Sequence, residues 1–247
     1  MIFFVSGNDT NIGKTFVSSL LIKLLKDRYK KVAYIKPIES GIKNARNSDL
    51  FKVRNYYNLK DKVDFYQFNT FVEPVAPLTA AIIEKKKINY KSIVTKIKQL
   101  EKEYDILLVE GAGGLRVPLT QDKEVVDLIK SINARALLVI SSKLGTLNHT
   151  YMSIEILKNR KITLEGVIIN SYPQNPNISE LHNPILINKK KVNILGVIPE
   201  ISNNSKKNKN FRLKSFFHPC LGGQFNEQEF IKKCRDKFNL ILKKYAN

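Results

Sequence analysis

The chain has 247 residues, 43% of them hydrophobic and 26% charged, enough for a substantial core in one undivided α/β domain spanning 1–247. Its formal net charge is +20, but the excess is lysine scattered along the chain, arginine is scarce, and no recognition-helix or zinc-finger pattern occurs; nucleic acid is not the expected partner. No apolar run is long enough to cross a bilayer, and Cys220 and Cys234 make neither a C-x-x-C pair nor a disulfide framework, which together read as a cytoplasmic, reducing setting without a membrane partner.

Strand and helix alternate from the start. Ile2–Ser6 is a short apolar run ending at a glycine turn, and it reads as a buried first strand, not a signal peptide. From Thr15 to about Lys26, Val17, Leu20, Leu21, Leu24 and Leu25 form one stripe of a helix. Val32–Lys36 is a second strand, expected to stop at Pro37. Residues 47–57 predict a short helix, and 90–103 a clearer one with Ile93, Ile97 and Leu100 on one face. Three continuous apolar runs, 106–109, 136–140 and 167–169, predict strands covered on both faces, as in a parallel sheet. Helices are expected at 124–132 and 146–159, and a last strand at 194–198. Residues 203–223 read as an irregular loop, mobile over 203–210, and 227–244 as a terminal helix. His182 and His218 read as surface residues. This alternation predicts a doubly wound, mainly parallel sheet with helices on both faces.

The strongest local signal is Ser6-Gly-Asn-Asp-Thr-Asn-Ile-Gly-Lys-Thr15, between the first strand and the first helix. Glycines let backbone N–H groups turn toward phosphate oxygens, and the helix N-terminus adds partial positive charge. Lys14 can reach the outer phosphates, and the Thr15 hydroxyl can hold Mg2+. That is the context of a P-loop NTPase-like fold. Five residues separate Gly7 from Gly13, where the usual phosphate loop has four.

That longer loop, Gly-Asn-Asp-Thr-Asn-Ile-Gly-Lys-Thr, resembles the G-T-D-T-x-V-G-K-T loop of dethiobiotin synthetases. Further segments resemble the same family in order: Lys36-Pro-Ile-Glu-Ser-Gly41, Arg46-Asn-Ser-Asp49, Glu73-Pro-Val-Ala-Pro77, Val109-Glu-Gly-Ala-Gly-Gly114, Leu144-Gly-Thr-Leu-Asn-His149, Gly166-Val-Ile-Ile-Asn170 and Gly196-Val-Ile-Pro199. They cover about Met1 to Ser202 and leave the tail unmatched. Asn8 stands where the family usually has Thr, and Ser171 where it often has Asp.

The resemblance implies an ATP-dependent cyclo-ligase that closes a cyclic urea on a 7,8-diaminononanoate-type diamine with carbon dioxide. It implies ATP binding by Asn11, Ile12, Gly13, Lys14, Thr15, Phe16, Asp49, Glu110, Gly111, Ala112, Gly113, Asn170, Ser171, Ile198, Pro199 and Glu200. Lys14 and Lys36 would be the catalytic cations. Thr15, Asp49 and Glu110 would hold magnesium, for which hard oxygen ligands are suited. Ser40, Gly41, Gly145, Thr146, Leu147 and Asn148 would bind the diamine, the last four reaching the neighbouring subunit of a homodimer. His149 reads as a packing residue.

Read without the resemblance, Lys36 is a solvated strand-end lysine and Ser48 and Asp49 a helix cap, while for Glu110 the alternative is a capping or salt-bridged acid, against which Gly111-Ala-Gly-Gly114 immediately after argues for close ligand approach. A regulatory ATPase of the chromosome-partitioning or septum-positioning class shares the expected fold. Such proteins carry an additional lysine early in the loop, and none occurs between Gly7 and Thr10. A glutamine-dependent amide-forming relative would need a glutaminase domain, for which the chain is too short.

Overall fold

The computed structural model describes residues 1–59, 62–201 and 213–245. These form a seven-stranded, all-parallel sheet. In chain order the elements are β1 (Ile2–Gly7), α1 (Lys14–Lys26), β2 (Val32–Glu39), α2 (Asp49–Tyr56), β3 (Asp64–Thr70), α3 (Pro77–Ile83), α4 (Tyr90–Glu101), β4 (Ile106–Gly114), α5 (Val125–Ser131), β5 (Arg135–Ile140), α6 (Thr146–Asn159), β6 (Leu164–Tyr172), α7 (Ile178–Lys189), β7 (Ile194–Pro199) and α8 (Glu227–Tyr245). The strand order is β3-β2-β4-β1-β5-β6-β7.

This order places the site. Strand β4 lies between β2 and β1, with Val5 opposite Glu110 and Ile35 opposite Val109. The C-terminal ends of three adjacent strands therefore open together, where ligands bind in open α/β sheets.

Strand alternation divides the core between the two faces. Phe4, Ala33, Leu107 and Val109 pack with Ala80, Ile93, Ile97, Val125 and Ile129 of α3, α4 and α5. Phe3, Val5, Tyr34, Leu108, Leu137 and Val139 pack instead against Val17, Leu20, Leu21 and Leu24 of α1 and Val53 of α2. Burying each of the Val, Leu, Ile and Phe side chains among these contributes about 1.5–3 kcal/mol. The stripe on α1 is thus the sheet-facing side, and it fixes the loop that precedes it. Ile187 of α7 and Ile231 of α8 close a third cluster over β5 and β6.

The structure departs from the sequence expectations at several elements. Strand β2 runs past Pro37 to Glu39, because its pairing with β4 ends at Ile35 and Pro37 owes that neighbour no N–H. Strand β3, α3 and α7 have no counterpart in the sequence reading. The polar stretch Asp64–Thr70 is an edge strand, half buried, without the apolar run that marks the inner strands. In α7, Pro184 sits inside the helix and hides a start that the Asn177–Glu180 capping box defines. His182 is half-buried, stacked on Phe238 at 4.3 Å. The mobile stretch expected at 203–210 lies outside the described residues. Among them, no helix is long and apolar enough to cross a membrane, and both cysteines are free.

Candidate functional site

The loop after β1 closes back on helix α1 at Gly13, which has φ +93°. A side chain there would be strained and would run into the Asn170 amide. Gly13 thus gives α1 an N-terminus free of any side-chain cap, with its N–H groups open to an anion. Lys14 folds back so that its Nζ donates to the Asp9 carbonyl at 3.3 Å. Burial, then the charge of Lys36, lowers its pKa. An anion bound there would favour the charged form.

Beneath the loop lies a buried charge cluster. The Lys36 Nζ is 2.7 Å from Asp49 Oδ2 and 2.9 Å from Glu110 Oε1, and it also donates to the Gly111 carbonyl at 3.2 Å. Glu110 is fully buried. Its carboxylate accepts from the Thr15 hydroxyl at 2.9 Å and from the Tyr34 hydroxyl at 3.0 Å. Burial opposes the Lys36 charge, but the Glu110 and Asp49 carboxylates outweigh it and hold the ammonium above its ordinary range. Burial likewise opposes the Asp49 charge, and Lys36 overcomes it. Both carboxylates thus share the one Lys36 ammonium, and neither is left without a partner.

Asp49 is held from behind. Its backbone N–H donates to Glu39 Oε1 at 2.6 Å, and Gln67 Nε2 donates to Glu39 Oε2 at 2.6 Å. Glu39 sits at the end of β2 and is itself buried. Burial and then the Asp49 charge push its pKa up to about 7.

Two adjoining cavities open at this end of the sheet, the first of them over the cluster. The first, about 360 Å³, is lined by Asn11, Gly13, Lys14, Thr15, Lys36, Ser40, Asp49, Glu110, Ala112 and Gly113 among the residues singled out from sequence. The second, about 560 Å³, is lined by Asn11, Ile12, Gly13, Thr15, Phe16, Asn170, Ser171, Pro199 and Glu200. The two share Asn11, Gly13 and Thr15, so they form one elongated groove. In its second half Asn170 donates to the Ile12 carbonyl at 2.9 Å. Its Oδ1 is buried with no partner among the described residues.

Other expected residues lie elsewhere. Gly111 touches the site only through its carbonyl. Gly41 turns at φ +82° against Pro74, outside both halves of the groove. Ile198 is a core residue below it. Gly145, Thr146, Leu147 and Asn148 begin α6 beyond the start of the loop, where Asn8 Nδ2 donates to Thr146 Oγ1 at 3.3 Å. His149 lines a separate hollow with Met152 and Arg116. The sequence reading missed Glu39, Lys52 and Tyr56, all of which line the groove. Lys52 and Tyr56 follow Asp49 at i+3 and i+7, and that spacing was the signal that could have found them.

Three hard oxygen donors on three different elements lie together, Thr15 bonding Glu110 and the Lys36 ammonium bridging Glu110 and Asp49. That donor set fits magnesium.

A family model described as an AAA domain matches residues 2–208. The chain is 36% identical to the ATP-dependent dethiobiotin synthetase BioD of Thermodesulfovibrio yellowstonii over 83% of this chain and 90% of that one. It is 40% identical to the enzyme of the same name from Methanococcus vannielii, over 68% of this chain and 77% of that one. Among solved structures, the cell division ATPase MinD of Pyrococcus furiosus has a TM-score of 0.55 at 20% identity, covering 97% of this chain and 98% of that one. At that identity the likeness is one of fold.

Proposed function

This chain belongs to the ATP-dependent dethiobiotin synthetase family, and from that premise we propose how its residues close the cyclic urea. It is an ATP-dependent ligase that forms carbon–nitrogen bonds. The substrates in this reading are 7,8-diaminononanoate, carbon dioxide and ATP, and the products are dethiobiotin, ADP and phosphate.

An amine of the diamine takes up carbon dioxide as a carbamate and releases a proton. A carbamate oxygen then attacks the γ-phosphorus, and the bond to the ADP oxygen breaks. The second amine attacks the carbonyl carbon of this mixed anhydride and expels phosphate. Such a sequence needs mainly positioning and charge neutralisation.

The observation that carries the reading is the Lys36 ammonium, buried between two carboxylates at the floor of the groove that Lys14 enters from above. Lys14 and the N–H groups at the start of α1 grip the outer phosphates. Lys36 neutralises charge on the carbamate and the moving phosphoryl group. The adenine end lies in the second half of the groove, against Asn170, Ser171, Pro199 and Glu200. Magnesium would be held by Thr15, Asp49 and Glu110 and would neutralise the outer phosphate oxygens. Ser40 and Gly41 form the substrate turn.

A homodimer completes the diamine site in this reading, with Gly145, Thr146, Leu147 and Asn148 of one subunit reaching the groove of the other. What supports it is that this segment lies outside its own groove and that Leu144 and Met152 beside it are 87% and 54% exposed. The whole chain acts as a single domain in the cytoplasm.

The test is Lys36→Ala. It should abolish dethiobiotin formation while ADP binding, which depends on Lys14 and the loop, stays within a few-fold of wild type. Wild-type turnover by the variant would remove Lys36 from the mechanism.

A further inference from the structure

Helix α2 carries more of the groove than Asp49. Asp49, Lys52 and Tyr56 stand at i, i+3 and i+7, one stripe of a helix. Asp49 lines the first half of the groove, Lys52 both halves, and Tyr56 the second. The stripe therefore runs along both halves of the groove.

Neither Lys52 nor Tyr56 is committed elsewhere. The Lys52 side chain is 56% exposed, and its ion pair with Asp49 is long, at 3.4 Å. An exposed pair of that length contributes little and holds the ammonium loosely. Asp49 has its stronger partner in Lys36 at 2.7 Å. The Tyr56 hydroxyl is buried and has no hydrogen-bond partner among the described residues. Its ring is fixed edge-on by Phe16 at 5.6 Å and Tyr57 at 4.9 Å, so the hydroxyl cannot easily swing out to find water. Tyr56 lines the second half of the groove, and its unpaired hydroxyl, like that of the adjacent Tyr57, is unfavourable until a partner satisfies it.

We propose that Lys52 and Tyr56 are nucleotide-binding residues, Lys52 pairing with the phosphate nearest the sugar and the Tyr56 hydroxyl hydrogen-bonding the nucleoside half. The inference rests on the ATP-dependent reading of the same groove. A nucleotide with its terminal phosphate at Lys14 and its base at Asn170 must pass the seam between the two halves. Among the described residues, Lys52 is the cation that lines both halves.

The test is calorimetric binding of ADP, AMP and inorganic tripolyphosphate to the full chain, with magnesium and in excess EDTA. Lys52→Ala should weaken AMP and ADP about tenfold, as loss of a charged hydrogen bond does. The loss should be equal in EDTA, where a metal at Asp49 plays no part, and Lys52→Arg should restore most of it. Tyr56→Phe, which keeps the ring, should weaken AMP and ADP about fivefold and leave tripolyphosphate unchanged. AMP and ADP affinities within twofold of wild type in either variant would overturn the assignment of that residue. A Lys52→Ala loss seen only with magnesium would also overturn it, since Lys52 would then act through Asp49. A wild-type chain that binds none of the three would instead defeat the ATP-dependent reading itself.

Discussion

The Lys36 ammonium meets the Glu110 carboxylate at 2.9 Å, and both side chains are almost wholly withdrawn from water. Neighbouring strands bring them together, since β2 and β4 run side by side up to Ile35 and Val109. The pair is a condition of the fold as well as of the chemistry. Removing one partner strands the other charge in the interior, which costs about 3–5 kcal/mol in comparable buried pairs.

Lys36→Ala is therefore expected to lose stability as well as turnover. Adding Glu110→Gln should recover part of that stability but no turnover, since the buried charge is gone while the cation is still missing. Urea denaturation of the single and double variants checks this. A single variant as stable as wild type would mean that Glu110 takes up a proton or a new partner at no cost.

Glu39 gives a pH dependence of definite sign. Its pKa is raised from 4.5 to about 7 in the folded chain. The folded state thus binds the proton more tightly than the unfolded one, so the contribution is fully present below about 4.5 and is lost as pH rises through about 7. Glu39→Gln escapes the loss while its carbonyl still accepts from the Asp49 N–H. The melting temperature of Glu39→Gln relative to wild type should climb between pH 5 and pH 9. A difference flat across that range would contradict the shift.

Gly13→Ala should damage both the loop and the base end of the groove. A side chain at φ +93° is strained, by about 1–2 kcal/mol for an L-residue in that region, and it would displace the Asn170 amide. Thermal melting should report the strain, and ADP affinity should fall as Asn170 moves. An unchanged ADP affinity would separate Asn170 from nucleotide binding.

Asp49→Asn should weaken the response to magnesium more than the binding of nucleotide. The carboxylate is the more exposed of the two that close on Lys36, at 20% against none for Glu110. Its loss leaves the buried Lys36–Glu110 pair in place. Turnover titrated with magnesium should shift to higher concentration by at least about tenfold, as removal of a charged ligand implies. An identical magnesium titration would take Asp49 out of the metal site.

Much of this arrangement was legible in the sequence. The strand, glycine turn, Gly-Lys-Thr and apolar helix stripe define one local object, so Lys14 and Thr15 could be placed without tertiary information. Glu110 at the end of an apolar run could be assigned to a strand end, and its place beside the loop depended on β4 lying next to β1. Edge strand β3 was not legible, because Asp64–Thr70 is paired on one side only and carries mixed polarity. Glu39 was missed because its role is to hold a backbone N–H ten residues along, a contact that no motif spacing encodes. Lys52 and Tyr56 were missed for another reason. The helix at 47–57 is legible and the spacing from Asp49 marks one face of it, but that this face looks into the groove is set by Val53 packing against the core.

The most direct measurement follows isotopically labelled bicarbonate in the presence of diamine and Mg-ATP. The label should appear in the ureido carbon of dethiobiotin, with one phosphate and one ADP released per ring closed, and omission of diamine or bicarbonate should stop ADP release. ATP hydrolysed at the same rate without diamine and bicarbonate, with no labelled product, would contradict the account.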